Sequence, residues 1–197
     1  MQTQVAQGRM CTRKNLTLAF LHPDDDDLWI NRAAALASSG MCHVELIFDS
    51  HTLPDASKSL AFSAQAGENV RLKHKTFGNP RYEYVTLAVS ADEYDKAYQS
   101  AERAHNAHLA FSDRDMTLSL VHPGGCAHVP SSALGRSFCT KIITEALQHA
   151  GCDEVDAICP SRATPGRLYE AVAKSKRRVT TCIKFNSDKP PPLQMRR

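Results

Sequence analysis

The amino-acid sequence predicts one α+β domain made of an antiparallel sheet and several helices. Its strand-like segments follow one another with short polar turns between them, as at 59–65 and 70–75, which Gly67-Glu68-Asn69 separates. The longer helical segments come after this run of strands. Of the 197 residues, 42% are hydrophobic, which is enough for a substantial core. Strands that cluster along the chain favour an α+β fold over a parallel sheet with alternating helices.

The first half of the chain contains one predicted helix among several strands. Apolar and β-branched residues mark the strands, and a run of alanines that ends before Gly40 marks the helix. The segment 49–58 is polar and predicts a turn region. We therefore predict strands at Asn15–Leu21, Val44–Phe48, Ser59–Gln65 and Val70–Lys75, and a helix at Leu28–Ser39.

The second half begins with a strand and continues mainly as helices. Tyr82–Val89 has strand character, and Ser90-Ala91-Asp92-Glu93 is a capping box that opens a helix to about His108. The segment 111–129 has no clear period. From Ser137, apolar residues recur at helical spacing until Gly151, and a short helix is predicted at Pro165–Ala173.

Two segments carry the residue types of a thiol hydrolase. His43 and Glu45 are two positions apart on a predicted strand and so leave the same face of the sheet. Cys139 lies in the first turn of a predicted helix, where the helix dipole lowers the pKa of a thiol. A thiolate beside an imidazole is the usual nucleophile and base of such enzymes. The pattern predicts Cys139 as nucleophile, His43 as general base and Glu45 as the group that orients the imidazole, with the backbone N–H of Cys139 as oxyanion donor.

Each of these three residues also has a purely structural interpretation. Free cysteines are among the most buried residues, and Cys139 is one of seven in the chain. A histidine in an apolar strand is commonly a hydrogen-bonded core residue. A carboxylate at the position of Glu45 commonly pairs with a lysine or arginine at a sheet edge. The sequence leaves both readings open.

The order of several motifs resembles the circularly permuted papain-like hydrolases, a group related to the NlpC-type peptidases and to lecithin retinol acyltransferase, with YiiX-like bacterial and viral members. In that group the histidine strand precedes the cysteine helix, as it does here. The similarity extends from about Leu16 to Val172. The matching segments are Cys42–Phe48, Phe62-Ser63-Ala64 with Gly67 and Val70-Arg71, Tyr82–Val89, Phe138–Lys141 and Thr164–Tyr169.

This resemblance implies a permuted papain-like fold and acyl transfer through a cysteine thioester, without a metal or organic cofactor. It implies a peptide, isopeptide or lipid-acyl substrate, and the segment 110–136 is expected to shape the pocket. In such folds the orienting group often lies on the next strand, so Ser63 or Gln65 is the alternative to Glu45. Cys42 departs from the small serine of the group, and Thr140-Lys141 departs from its Ser-Glu pair, which affects the expected substrate contacts.

A competing hypothesis comes from His22-Pro23-Asp24-Asp25, which follows a strand and precedes a helix. This unit resembles the start of the zinc-dependent LmbE-like N-deacetylases, with His22 and Asp25 as metal ligands and Asp24 as base. Asp26 replaces the glutamate of that motif, and no His-Pro-Asp-His follows to supply a third ligand. The simpler interpretation of 24–27 is a solvated loop. A catalytically inactive scaffold or virion component with the same fold is a third hypothesis.

Composition limits the remaining classes. No segment approaches the length of an apolar membrane span, and the start lacks the apolar core of a signal peptide, so we expect an intracellular protein, cytoplasmic or nuclear. Seven cysteines without regular spacing argue against a disulfide framework. Residues 174–197 carry eight basic side chains against one acidic one, Asp188. We predict an N-terminal extension at 1–14, the hydrolase domain at 15–173 and a flexible basic tail at 174–197 that is the one candidate segment for nucleic-acid binding.

Overall fold

The computed structural model describes residues 13–24, 29–48, 59–77, 79–121 and 128–179. They form an α+β fold with a mostly antiparallel sheet, as the sequence predicts. The strands are β1 (Arg13–Leu21), β2 (His43–Phe48), β3 (Ser59–Ser63), β4 (Arg71–Lys75), β5 (Tyr82–Ser90), β6 (Ala110–Phe111), β7 (Arg136–Ser137) and β8 (Arg178–Val179). The α-helices are α1 (Trp29–Leu36), α2 (Ala91–Asn106), α3 (Asp113–Val121), α4 (Ser131–Leu134), α5 (Cys139–Ala150) and α6 (Pro165–Ala173).

The main sheet has six strands in the order β4-β3-β2-β1-β5-β8, and every neighbouring pair is antiparallel. The predicted meander of three successive strands is therefore present as β2-β3-β4. The first strand, β1, lies inside the sheet, and its residues Leu16 to Phe20 are fully buried. Its end is paired on both sides, since Leu21 faces His43 of β2 and Tyr82 of β5.

One face of this sheet carries the main core. Alternate residues of β2, such as Val44, Leu46 and Phe48, point into it and pack with apolar side chains of α2 and α5. The opposite face has a smaller cluster that includes Ile47 and Phe77. Because side chains alternate along a strand, His43 and Glu45 lie on the same face as Ile47. His43 is at the start of β2. The two faces thus separate a large apolar core from a smaller, more polar one.

Between α2 and α5 the chain forms only short strands and helices in its described residues. β6 and β7 have two residues each and pair in parallel, with Ser137 opposite Phe111. This pairing keeps Ser137 in a strand, so α5 begins two residues later than predicted, at Cys139. At its other end, α5 stops at Gly151, which adopts the left-handed conformation with φ 81°.

The ordered chain continues beyond Ala173, the predicted end of the domain. Arg178 and Val179 form β8 against β5, and Arg177 makes ion pairs with Glu93 and Glu154. Part of the basic segment at 174–178 is thus used within the fold. Most of the predicted tail, the polar segment 49–58 and most of the predicted N-terminal extension lie outside the described residues. Within the described part, no helix is long and apolar enough to cross a membrane.

Candidate active site

Cys139 is the first residue of α5, and several contacts fix this position. The residue before it, Phe138, is extended (φ −137°, ψ 166°) and serves as the N-cap, with no capping side chain among the described residues. The pairing of β7 with β6 anchors the approach, since Ser112 donates its backbone N–H to the carbonyl of Ser137 at 2.8 Å. The thiol therefore sits at the positive end of the helix dipole, and the side chain is 3% exposed.

His43 is the first residue of β2 and reaches the same place from the sheet. Its side chain is 15% exposed, and its backbone is held by the pairing with Leu21 of β1. The imidazole of His43 and the thiol of Cys139 are neighbours, since each shifts the pKa of the other through its charge and through a hydrogen bond. The fold thus brings together two residues that are far apart in the sequence.

The two groups change each other's protonation. Burial alone would lower the pKa of His43, but the charge and the hydrogen bond of Cys139, with those of Glu45, raise it to about 9. Burial alone would raise the pKa of Cys139, but the charge and the hydrogen bond of His43 outweigh it, and the net shift is downward. These opposite shifts favour a thiolate and imidazolium pair at neutral pH.

Polar groups other than His43 also stabilise the sulfur as an anion. A backbone hydrogen bond from Val44 contributes to the lowered pKa of Cys139, as does the hydroxyl of Thr140. The Thr140 Oγ1 atom lies 3.7 Å from the Cys139 Sγ atom. Val44, the residue after His43, therefore contacts the Cys139 sulfur through its backbone, a contact that side-chain patterns in the sequence do not reveal.

Ser63 contacts the far side of the imidazole. Its Oγ atom is 3.4 Å from His43 Nε2 and 2.8 Å from the carbonyl oxygen of Val44, to which it donates. Because a hydroxyl has one hydrogen, Ser63 is left to accept from His43, and this requires that Nε2 carry the proton. In the neutral imidazole, Nδ1 is then the ring nitrogen without a proton.

Glu45 lies beside the same ring nitrogen and is almost completely buried. Its Oε1 atom is 3.6 Å from His43 Nε2 and accepts hydrogen bonds from Lys75 Nζ and from Tyr82 OH, the latter at 2.9 Å. Burial opposes its ionisation, but His43 and then Lys75 lower its pKa to about 2. Glu45 is thus an anion that neighbours the imidazole and also pairs with an edge-strand lysine, so its position fits the structural interpretation and leaves the proposed orienting role open.

Gln65, the other predicted alternative to Glu45 as partner of the imidazole, makes its hydrogen bond with a different residue. Its side chain is exposed, and its Oε1 atom accepts a hydrogen bond from Arg71 Nη2 at 2.5 Å. Lys141, whose side chain was expected to affect substrate contacts, is buried and donates to the carbonyl of Val129 at 2.9 Å. It turns inward and is not among the groups that shift the pKa of Cys139.

The residues of the zinc hypothesis do not gather in the described part of the chain. The two ring nitrogens of His22 lie 3.0 Å from the carbonyl oxygen of Gly40 and 3.4 Å from Glu83 Oε2. Asp24 is exposed, while Asp25 and Asp26 lie outside the described residues. Within the described ranges, no group of three His, Cys, Asp or Glu side chains is arranged to hold a metal ion.

Lys75 and Tyr82 are the site residues that the sequence reasoning missed. Each lies on its predicted strand, but nothing in the local pattern distinguishes it from other basic or aromatic strand residues. Their contacts depend on sheet order, since β4 and β5 lie on opposite sides of β2. A predicted strand order would have been the signal needed to find them.

Comparisons with known proteins give no relative. No protein-family model matches the chain, and neither the curated proteins nor the solved structures yield a match.

Proposed function

We propose that this protein is a cysteine hydrolase or acyltransferase with a permuted papain-like arrangement, in which a histidine strand precedes a cysteine helix. Cys139 is the nucleophile, His43 the general base and acid, and Glu45 the charged group that stabilises imidazolium. The single observation that supports this most is the mutual effect of His43 and Cys139, which raises the pKa of one and lowers the pKa of the other.

The reaction begins with the thiolate of Cys139, which the neighbouring imidazolium stabilises. The sulfur of Cys139 attacks the carbonyl carbon of an amide or ester, and the carbonyl oxygen becomes an anion. The backbone N–H of Cys139, at the start of α5, is aligned with the helix dipole to stabilise that charge. When the carbon to leaving-group bond breaks, the leaving nitrogen or oxygen takes the proton from His43 Nδ1. A thioester and a neutral imidazole remain.

The second half restores the enzyme. Water, or the hydroxyl or amine of an acceptor, attacks the thioester carbon and gives its proton to His43 Nδ1. The carbon to sulfur bond then breaks, which releases the acyl product and regenerates the thiolate and imidazolium pair. Ser63 keeps the Nε2 proton in place throughout, because its Oγ atom accepts from that nitrogen. Amide, isopeptide and ester carbonyls all meet these requirements.

The test is intact-mass analysis after treatment with a panel of electrophilic acyl probes at neutral pH. We expect one acyl adduct on the wild-type protein and none on Cys139→Ala. The matched control is Cys152→Ala, which removes another buried free cysteine and is expected to label like the wild type. An adduct that persists in Cys139→Ala would contradict the proposal, as would activity that depends on bound zinc.

A further inference from the structure

The carboxylate of Glu45 has more partners than a hydrolytic triad requires. Its Oε1 atom accepts from Lys75 Nζ and Tyr82 OH, and these two donors are themselves 2.9 Å apart. The three side chains therefore form a closed group beside His43. Glu45 is 1% exposed, so water does not replace any of these contacts.

We propose that Lys75 and Tyr82 are positioning residues that hold the Glu45 carboxylate beside His43, an inference that rests on the proposed function. They lie on the same face of the sheet and reach Glu45 from strands on either side of β2. Lys75 is on β4, two strands from β2 in one direction, and Tyr82 is on β5, two strands away in the other. Glu45 on β2 is thus held between them, and its distance to the imidazole is set by the sheet.

The catalytic cycle explains why such a clamp is needed. Once His43 has given its proton to the leaving group, the imidazole is neutral, and Glu45 would become a buried anion without a cationic partner. An unpaired buried charge is strongly unfavourable. The ion pair with Lys75 does not depend on the proton of His43, so the Glu45 carboxylate keeps a partner during that step and stays in position for the next protonation of His43.

The two donors are themselves fixed in place. The Lys75 ammonium lies 5.4 Å from the centre of the Phe77 ring and 5.3 Å from that of Tyr82, which is within the range of a cation–π contact. Burial first, and then the charge of Glu45, raise the pKa of Tyr82 above its ordinary value. The Tyr82 hydroxyl therefore keeps its proton and acts as a donor to Glu45.

The test needs no substrate. The full chain is alkylated with iodoacetamide over a range of pH, and the rate at Cys139 is followed by mass spectrometry. Loss of Lys75 raises the pH at which Glu45 takes up a proton, so the ion pair at Cys139 fails at a higher pH. For Lys75→Met we expect the acid limb of the profile to move up by about one pH unit, which is about tenfold slower alkylation at a fixed pH on that limb. Tyr82→Phe is expected to move it in the same direction by about threefold, since a neutral donor contributes less than a charged one.

The matched control is Lys73→Met, which removes a lysine from the same strand and face that pairs with Glu68 at 3.6 Å instead. Its profile is expected to superimpose on that of the wild type, and Lys75→Arg is expected to restore most of the loss. Profiles of Lys75→Met and Tyr82→Phe that match Lys73→Met would overturn the inference and leave the proposed function intact. If circular dichroism shows that Lys75→Met does not fold, Tyr82→Phe decides alone. A wild-type Cys139 that is alkylated no faster than Cys152 would overturn the proposed function and the inference with it.

Discussion

The two ends of helix α5 carry two buried free cysteines in opposite electrostatic surroundings. Cys139 opens the helix, and Cys152 follows the glycine that closes it. The pKa of Cys139 is lowered, whereas burial first and then the carboxylates of Glu93 and Glu154 raise the pKa of Cys152 to about 12. Burial opposes ionisation at both thiols, so it is the neighbouring charges that distinguish a candidate nucleophile from a core residue.

The arginine near Cys152 shows why a cation alone is not sufficient. Arg177 acts on the thiol by charge and by a hydrogen bond, which lowers its pKa. However, the guanidinium is already bound to Glu93 on one side and to Glu154 on the other. Its charge is therefore largely compensated, and the helix dipole at this end is also unfavourable for an anion. At Cys139 the cation is the imidazolium of His43. The carboxylate beside it, Glu45, raises the pKa of His43 and so supports the ion pair with the thiolate.

The largest expected change in thiol reactivity comes from removing the imidazolium beside Cys139. His43→Asn keeps a polar side chain but cannot form the imidazolium, so the pKa of Cys139 should rise towards that of an ordinary buried thiol. We expect alkylation at pH 6 to 7 to fall by about 100-fold, within the range typical of a lost acid or base. Mass-spectrometric rates at both cysteines would measure this.

The control for that variant is His74→Asn, which changes an exposed histidine on β4 and is expected to have no effect. A His43→Asn protein in which Cys139 still reacts at the wild-type rate would show that the imidazole is not what activates the thiol.

A smaller effect is expected from Glu45→Gln. The hydrogen-bonding shape is kept but the negative charge is lost, so the imidazolium is less stable and the pKa of His43 should fall below about 9. We expect the pKa of His43 to fall by about one unit, which is a factor of ten in its equilibrium between imidazolium and imidazole. The titration of His43 by NMR gives the shift directly.

Glu68→Gln is the matched control, because it removes an exposed carboxylate from the nearby turn that pairs with Arg71. If Glu45→Gln leaves the His43 titration unchanged while Ser63→Ala alters it, Ser63 is the more important partner of the imidazole and Glu45 leaves the catalytic set.

The smallest effect should follow from a change at the other end of the helix. Glu154→Gln removes one of the carboxylates that disfavour the Cys152 thiolate, yet burial is the largest cause of its raised pKa. Cys152 should therefore remain unreactive at pH 7, with at most a few-fold change in its alkylation rate. Rapid labelling of Cys152 in this variant would show that local charge, and not burial, protects that thiol.

The sequence predicts those parts of the site that depend on local periodicity. The alternation along β2 places His43 and Glu45 on one face, and the helical spacing after Phe138 places Cys139 near a helix start. Both follow from the period of strands and helices. The start of α5 was misplaced by two residues because the pairing of Ser137 with Phe111 is a contact between distant segments.

The remaining parts depend on contacts that no local pattern encodes. Two-residue strands such as β6 and β7 are too short to show a period, and α3 lies in the segment that could not be assigned. The choice of Lys75 and Tyr82 as partners of Glu45 follows from strand order across the sheet. The sequence thus predicts the proposed nucleophile and base and the neighbours of the imidazole, Glu45 and Ser63, but not the two side chains that hold Glu45.

The order of the site residues along the chain has a consequence for biosynthesis. His43, Glu45, Lys75 and Tyr82 all precede Cys139, and the base and nucleophile are 96 positions apart. Because a ribosome produces the chain from its N-terminus, the strands that carry the base and its partners emerge well before the thiol. Contacts between such distant segments also form late in folding. A newly made chain is therefore expected to have a weakly reactive thiol until its sheet and α5 have docked, which would delay acylation of Cys139 until the fold is complete.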